Sequence, residues 1–135
     1  MVLLQSIVTV LLLLGMQSEN KSGFGRQAEK LAKNWLRKKG FKIITTNFRT
    51  RIGEIDIIAL TKGEIHFIEV KARRSSEYGS PQQAVNKRKL TTILRVSQFF
   101  LKKFPQYKNF DLKYDFLGIS FKDRINYEFI PDIVL

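Results

Sequence analysis

Gly53-Glu54-Ile55-Asp56-Ile57-Ile58-Ala59-Leu60-Thr61-Lys62-Gly63-Glu64-Ile65-His66-Phe67-Ile68-Glu69-Val70-Lys71 is two apolar, β-branched runs on either side of a tight-turn signal, Thr61-Lys62-Gly63-Glu64. Strands over 54–60 and 64–71, joined as a hairpin, are the direct reading. A turn centred between Lys62 and Gly63 sets Asp56 opposite Glu69 and Glu54 opposite Lys71, whether the loop has two residues or four. Because strand side chains alternate, all four groups then share one face. Directly opposed Cβ atoms lie roughly 4.5–5.5 Å apart, so the Asp56 and Glu69 carboxylates can share one ion.

Two arrangements satisfy this pattern. Glu54 and Lys71 can form a cross-strand ion pair, with Asp56 and Glu69 solvated on an open sheet face. Alternatively, a divalent cation compensates two carboxylates that would otherwise repel. The second strand favours the latter: Ile65 and Phe67 lie on the Glu69 side, Ile68 and Val70 on the other. A strand apolar on both faces is central in its sheet, where uncompensated carboxylates are expensive. Mg²⁺ or Mn²⁺ suits such a half-open oxygen site, with waters and phosphate oxygens completing the shell. Lys71 would then serve the attacking water and offset charge in the transition state.

Composition narrows the chemistry. The chain has 135 residues, with 24 Lys and Arg against 12 Asp and Glu, a formal charge of +12. No Cys is present, which excludes disulfide scaffolds, thiolate catalysis and Cys-bearing zinc sites. A single His, His66, removes metal clusters built on several histidines, and its place in the strand points it away from Glu69 and Lys71. With 44% hydrophobic and 27% charged residues the chain is globular, so its basic surplus lies on a folded surface and attracts polyanions.

Outward from the hairpin, Phe24, Ala28, Leu31, Ala32 and Trp35 recur at helical spacing over 22–39, opposite Arg26, Lys30, Lys33 and Arg37. Glu29 falls on the border between these stripes, and Gly40 ends the helix. A strand follows over 41–48. After the hairpin, a polar loop over 73–79 leads to Ser80 as N-cap, Pro81 and Gln83 of a capping box, opening a helix to about 104. Two strands, 112–120 and 125–130, close the chain. Helix, three strands, helix, two strands is an α/β domain over 22–135 with one mixed sheet and helices packed on it. Residues 1–20 differ: no charge precedes Glu19, and the apolar run over 2–14 is too short to span a bilayer and lacks a basic flank. A hydrophobic terminal helix and an upstream extension with Met16 as the true start both fit.

The series Glu29-Lys30-Leu31-Ala32, Trp35-Leu36, Gly40, Asn47-Phe48-Arg49, Gly53 to Ala59, Phe67 to Arg73, Gly79, Val85 with Lys89, Tyr114-Asp115 and Ile130-Pro131-Asp132 resembles the bacterial YraN family. That family is described as predicted endonucleases of the PD-(D/E)XK, restriction-endonuclease-like fold, which Holliday junction resolvases share. The resemblance implies a Mg²⁺- or Mn²⁺-dependent endonuclease acting on structured or single-stranded DNA, with Asp56, Glu69 and Glu29 as metal ligands and Lys71 beside the water. It also implies a cytoplasmic protein, a homodimer as in resolvases, and an auxiliary polar group at Gln83. A catalytically idle nucleic-acid-binding module and, if residues 1–16 are genuine, a membrane-tethered or exported protein are the alternatives. Arg49, Arg51, Arg73, Arg74, Lys87, Arg88 and Lys89 surround the hairpin in sequence and suit phosphate contacts, while Glu54 is a further acidic candidate. No Walker-type or dinucleotide motif occurs, so no nucleotide cofactor is expected. Tyr107, Tyr114, Tyr127 and the Phe residues are read as core.

Overall fold

Ala28, Ala32 and Leu36 follow one another at helical spacing and are buried together on one side of α1 (Gly23–Lys38). The helix closes in a Schellman motif: Phe41 N donates to Leu36 O at 3.0 Å, Gly40 N donates to Arg37 O at 3.0 Å, and Gly40 takes φ 97°. The computed structural model describes residues 23–74 and 86–133. The chain continues through β1 (Lys42–Thr50), β2 (Gly53–Thr61), β3 (Glu64–Arg73), α2 (Lys87–Lys103), a 3-10 turn at Pro105–Tyr107, β4 (Asp111–Ser120) and β5 (Asn126–Ile130). This is the element order expected from the sequence. The strands form one sheet in the order β1-β2-β3-β4-β5, antiparallel throughout except for the parallel β3–β4 pair. Parallel neighbours require a crossover, and α2 lies within it.

The two helices cover opposite faces. Ala32 and Leu36 of α1 pack on Ile57, Ala59, Ile68, Leu117 and Ile119, and Ile93, Val96 and Phe100 of α2 pack on Ile55, Ile58, Ile65 and Phe67. β3 alternates cleanly between these layers, so Glu69, Lys71 and Arg73 point to the α2 side. The β2–β3 register runs from Ile57–Ile68 to Thr61–Glu64, the register that the turn chemistry specifies.

Two features depart from the expected pattern. The described helix begins at Lys87, and its N-cap is Asn86, whose side chain accepts from Lys89 N at 2.9 Å. Asn86 satisfies the orphan donors that a start at Ser80 would assign elsewhere; Ser80, Pro81 and Gln83 lie outside the described residues, as do residues 1–22. Second, face alternation breaks in β1 and β2 together. Between the pairs Thr46–Ile57 and Phe48–Ile55 the ladder passes over Asn47 and Asp56, and Ile57 and Ile55 point into different cores. Asn47 adopts φ 54°, a left-handed conformation that Asn tolerates better than most residues.

Across the first sheet face, His66 ties three strands together. Its Nδ1 lies 2.6 Å from Asp115 Oδ2 and its Nε2 2.8 Å from Thr61 Oγ1, while Asp115 Oδ1 accepts from Asp132 N. All this is on the side away from Glu69, as the strand period requires. Among the described residues no helix is long and apolar enough to cross a membrane.

Gly53 fixes the approach of α2 to the β1–β2 hairpin. Its φ of 156° belongs to a region that residues with a Cβ avoid, and a Cβ there would stand 2.5 Å from Thr92 Cγ2. Gly53→Ala should therefore cost about 2–4 kcal/mol, read as a lower midpoint in urea unfolding. Adding Thr92→Ala should recover part of that loss by relieving the clash but not the backbone strain. A fully stable Gly53→Ala protein would contradict this packing.

Candidate functional site

Past Ile57–Ile68 the β2–β3 ladder stops. The Val70 N–H is taken instead by Asp56 Oδ2 at 2.8 Å, so the kink at Asn47 and Asp56 turns that carboxylate across toward β3. Here it meets Glu69, which is 3% exposed. Glu69 Oε2 accepts a 2.9 Å contact from Lys89 Nζ, delivered by the first turn of α2, and lies 3.6 Å from Lys71 Nζ. Four charged groups, two of each sign, thus converge at one end of the hairpin: Asp56, Glu69, Lys71 and Lys89.

The charges determine one another's protonation. Burial by itself would raise the Glu69 carboxyl; the ammonium charges of Lys89 and then Lys71, with a hydrogen bond from Lys89, outweigh burial and hold it below the ordinary range. Lys71 moves the other way. Burial draws its ammonium below the usual lysine value, and the repulsion of Lys89 adds to this, against the attraction of Glu69 and Asp56. Lys89, facing Glu69 first and Asp56 and Glu54 beyond, is raised to about 12 despite its own partial burial. One lysine is therefore a firm cation and the other a desolvated one.

The structure gives each described residue singled out by the sequence a definite surrounding. Glu29 Oε2 accepts from Asn47 Nδ2 at 3.0 Å, and among the described residues no group of three or more His, Asp or Glu side chains is placed to hold a metal ion. Glu54 pairs with Arg49, its ladder neighbour on β1, at 3.1 Å rather than with Lys71. Lys89 is committed to Glu69 instead of facing outward to a phosphate. Arg73 is 3% exposed, with burial pulling its guanidinium down to about 10 against the attraction of Glu128, which withdraws it from phosphate contact. Arg51, Lys87 and Arg88 are exposed; Arg74 is exposed and lies over the Phe24 ring at 4.2 Å. Gln83 is outside the described residues.

Asn47 was not legible as a site component, and Lys89, expected at a phosphate, was not legible as a partner of Glu69. Asn47 carries a buried Oδ1 with no hydrogen-bond partner among the described residues, next to Glu29 and in the skipped pair with Asp56; its only sequence signal is an Asn inside a β-branched strand. The pairing of Lys89 with Glu69 depends on how α2 docks, which periodicity does not encode.

The fold and the charged end of the hairpin define a class: an α/β protein with a five-stranded mixed sheet, consistent with a restriction-endonuclease-like core. The profile of the family described as "Uncharacterised protein family UPF0102" matches residues 28–119. A UPF0102 protein of Caldanaerobacter subterraneus subsp. tengcongensis is 38% identical over 104 residues, covering 77% of this chain and 84% of its own length. A UPF0102 protein of Alkaliphilus oremlandii is 51% identical over 77 residues, 57% of this chain and 66% of its own; one from Acinetobacter baylyi is 35% identical over 101 residues, 75% and 72%. The chain belongs to UPF0102, the YraN family.

Proposed function

We propose that this protein is a metal-dependent endonuclease whose reacting groups are Asp56, Glu69 and Lys71. The observation carrying this reading is the burial of the Glu69 carboxylate, with half-buried Asp56 beside it, next to a desolvated lysine on a protein of charge +12. Such an arrangement costs folding free energy, and that cost makes sense when the groups serve chemistry.

The donor set fits a hard divalent cation. Asp56 and Glu69 offer carboxylate oxygens, Glu69 Oε2 already attracts a cation, Lys89 Nζ, and Asn47 Oδ1, in the skipped pair with Asp56, is a buried amide oxygen without a hydrogen-bond partner among the described residues. Asp56 and Glu69 would hold the ion, which supplies Lewis-acid polarisation of a phosphoryl oxygen. The chain's own residues do the rest. Lys71 Nζ orients the attacking water and, as a cation, offsets the charge that builds as the new P–O bond forms and the P–O bond to the leaving oxygen breaks, the water's proton ending on that leaving oxygen. Val70 N–H fixes Asp56 so that its carboxylate cannot rotate away.

The test is a panel of labelled duplex, single-stranded, flap and four-way-junction DNA incubated with Mg²⁺ or Mn²⁺. Cleavage lost in Asp56→Asn and Glu69→Gln, with chain fold retained by circular dichroism, is the expected result. Absence of product on every substrate with either ion would leave the binding-module reading, in which the same charged surface holds nucleic acid without cutting it.

A further inference from the structure

Most aromatic rings are core, as the sequence suggests: Phe100 is 1% exposed and packs against Phe48, Phe67 and Phe104. Phe99 is the exception. It is 51% exposed, at the border of the stripe that Ile93, Val96 and Phe100 bury. The ring borders an open groove of about 430 Å³ lined by Phe48, Arg49, Thr50, Phe99, Lys102 and Lys103, within the roughly 300–1,000 Å³ of sites that take flat organic groups. Lys102 and Lys103 follow Phe99 by three and four residues, so all three share one helix surface. No acidic residue lines this groove.

We infer that this groove is a single-strand subsite, in which an unpaired nucleobase stacks on Phe99 while Lys102 and Lys103 contact the flanking phosphates. A lone exposed Phe is often mere surface. Here the cations around it give the ring a partner chemistry, because stacking on an aromatic face within a cationic groove is how unpaired strands are held without sequence preference. Paired bases in a duplex cannot present their faces to it. A chain of charged side chains connects the groove with the charged end of the hairpin. Arg49 bonds Glu54 at 3.1 Å, the charge of Glu54 reaches Lys89, and Lys89 bonds Glu69. Lys89 and Phe99 lie on one helix, about 15 Å apart along its axis. A strand seated on Phe99 is thereby led toward Asp56 and Glu69. The identity of the partner as nucleic acid rests on the proposed function; the groove's preference for unpaired strands does not require that the protein cut.

Binding is measured in EDTA by fluorescence anisotropy with an oligothymidylate of about a dozen nucleotides and with a blunt duplex of equal length. Phe99→Ala and Phe99→Leu should weaken single-strand binding about 5- to 100-fold while leaving duplex binding within about twofold, and Phe99→Trp should stay close to the parent. Lys102→Ala and Lys103→Ala should each lower the salt slope by about one. Unchanged single-strand affinity in Phe99→Ala, equal losses on duplex, or displacement of the oligonucleotide by poly-glutamate as readily as by unlabelled strand would overturn the subsite. Phe99-dependent binding without cleavage on any substrate keeps the subsite and removes the nuclease; cleavage with Phe99-independent binding does the reverse.

Discussion

Lys71→Met should abolish metal-dependent cleavage, by about 10³-fold or more, while the melting temperature stays equal to that of the parent or rises. The second half of this expectation follows from the sign of the lysine's shift. Burial lowers Lys71 in the folded state relative to its ordinary value of 10.5. A cation with a depressed folded value weakens the fold at every pH below that value, and the penalty disappears only as pH rises past 10.5. Met keeps the volume and removes the desolvated charge, and Glu69 retains Lys89 at 2.9 Å as its counter-ion. Circular dichroism melts at neutral pH and substrate turnover are the paired measurements. A mutant that still cuts within tenfold of the parent, or one that melts several degrees lower, would show that Lys71 is structural. The trade of stability for chemistry is the signature sought.

Lys89→Met should have the opposite stability effect. It removes the strongest partner of a carboxylate that is 3% exposed, and breaking a buried pair from one side typically costs 3–5 kcal/mol. Because Lys71 remains 3.6 Å away, about 2–3 kcal/mol is expected here. The pH dependence has a fixed sign. Glu69 lies below its ordinary 4.5 in the folded protein, so its contribution is present above pH 4.5 and is lost as pH falls through the lowered value. The stability gap between mutant and parent should therefore be widest near neutrality and close in acid. Glu69→Gln in the Lys89→Met background should restore most of the loss, because no uncompensated charge is left. Mg²⁺ should raise the midpoint of Lys89→Met more than that of the parent, since the ion replaces the missing ammonium at Glu69. Equal Mg²⁺ responses in both proteins would place the ion elsewhere.

Much of this architecture is written in hydropathy. β3 alternates without interruption from Ile65 to Arg73, and the turn at Thr61-Lys62-Gly63-Glu64 sets the register found in the Ile57–Ile68 ladder. The convergence of Asp56, Glu69 and Lys71 followed from these two facts, although not by the simple route. Period-two reasoning assumes an unbroken β2, whereas the left-handed Asn47 breaks β1 and β2 together and Asp56 arrives through the Val70 N–H. Helix docking was the other illegible layer. Ser80-Pro81-Gln83 is a locally sound start signal, yet Asn86 caps the described helix, and only the position of α2 over β3 reveals that Lys89 is an internal ion-pair partner. Phe99 could have been separated from Phe100 by spacing alone, because it falls off the stripe that Ile93, Val96 and Phe100 define.

The single parallel pairing, β3 with β4 from Glu64–Asp111 to Arg73–Ser120, carries a kinetic implication. β1, β2 and β3 are linked by short turns and can zip locally, bringing Asp56 and Glu69 together early. β4 can close on β3 only after the long intervening segment has looped back, a contact order that slows folding. A chain at that stage would expose the β3 edge of an apolar hairpin, with Asp56 and Glu69 offset by Lys71 but not yet by the lysine on the returning helix. Nascent chains should be most prone to edge-to-edge association at that stage, so the basic character of the sequence also protects the protein while it is being made.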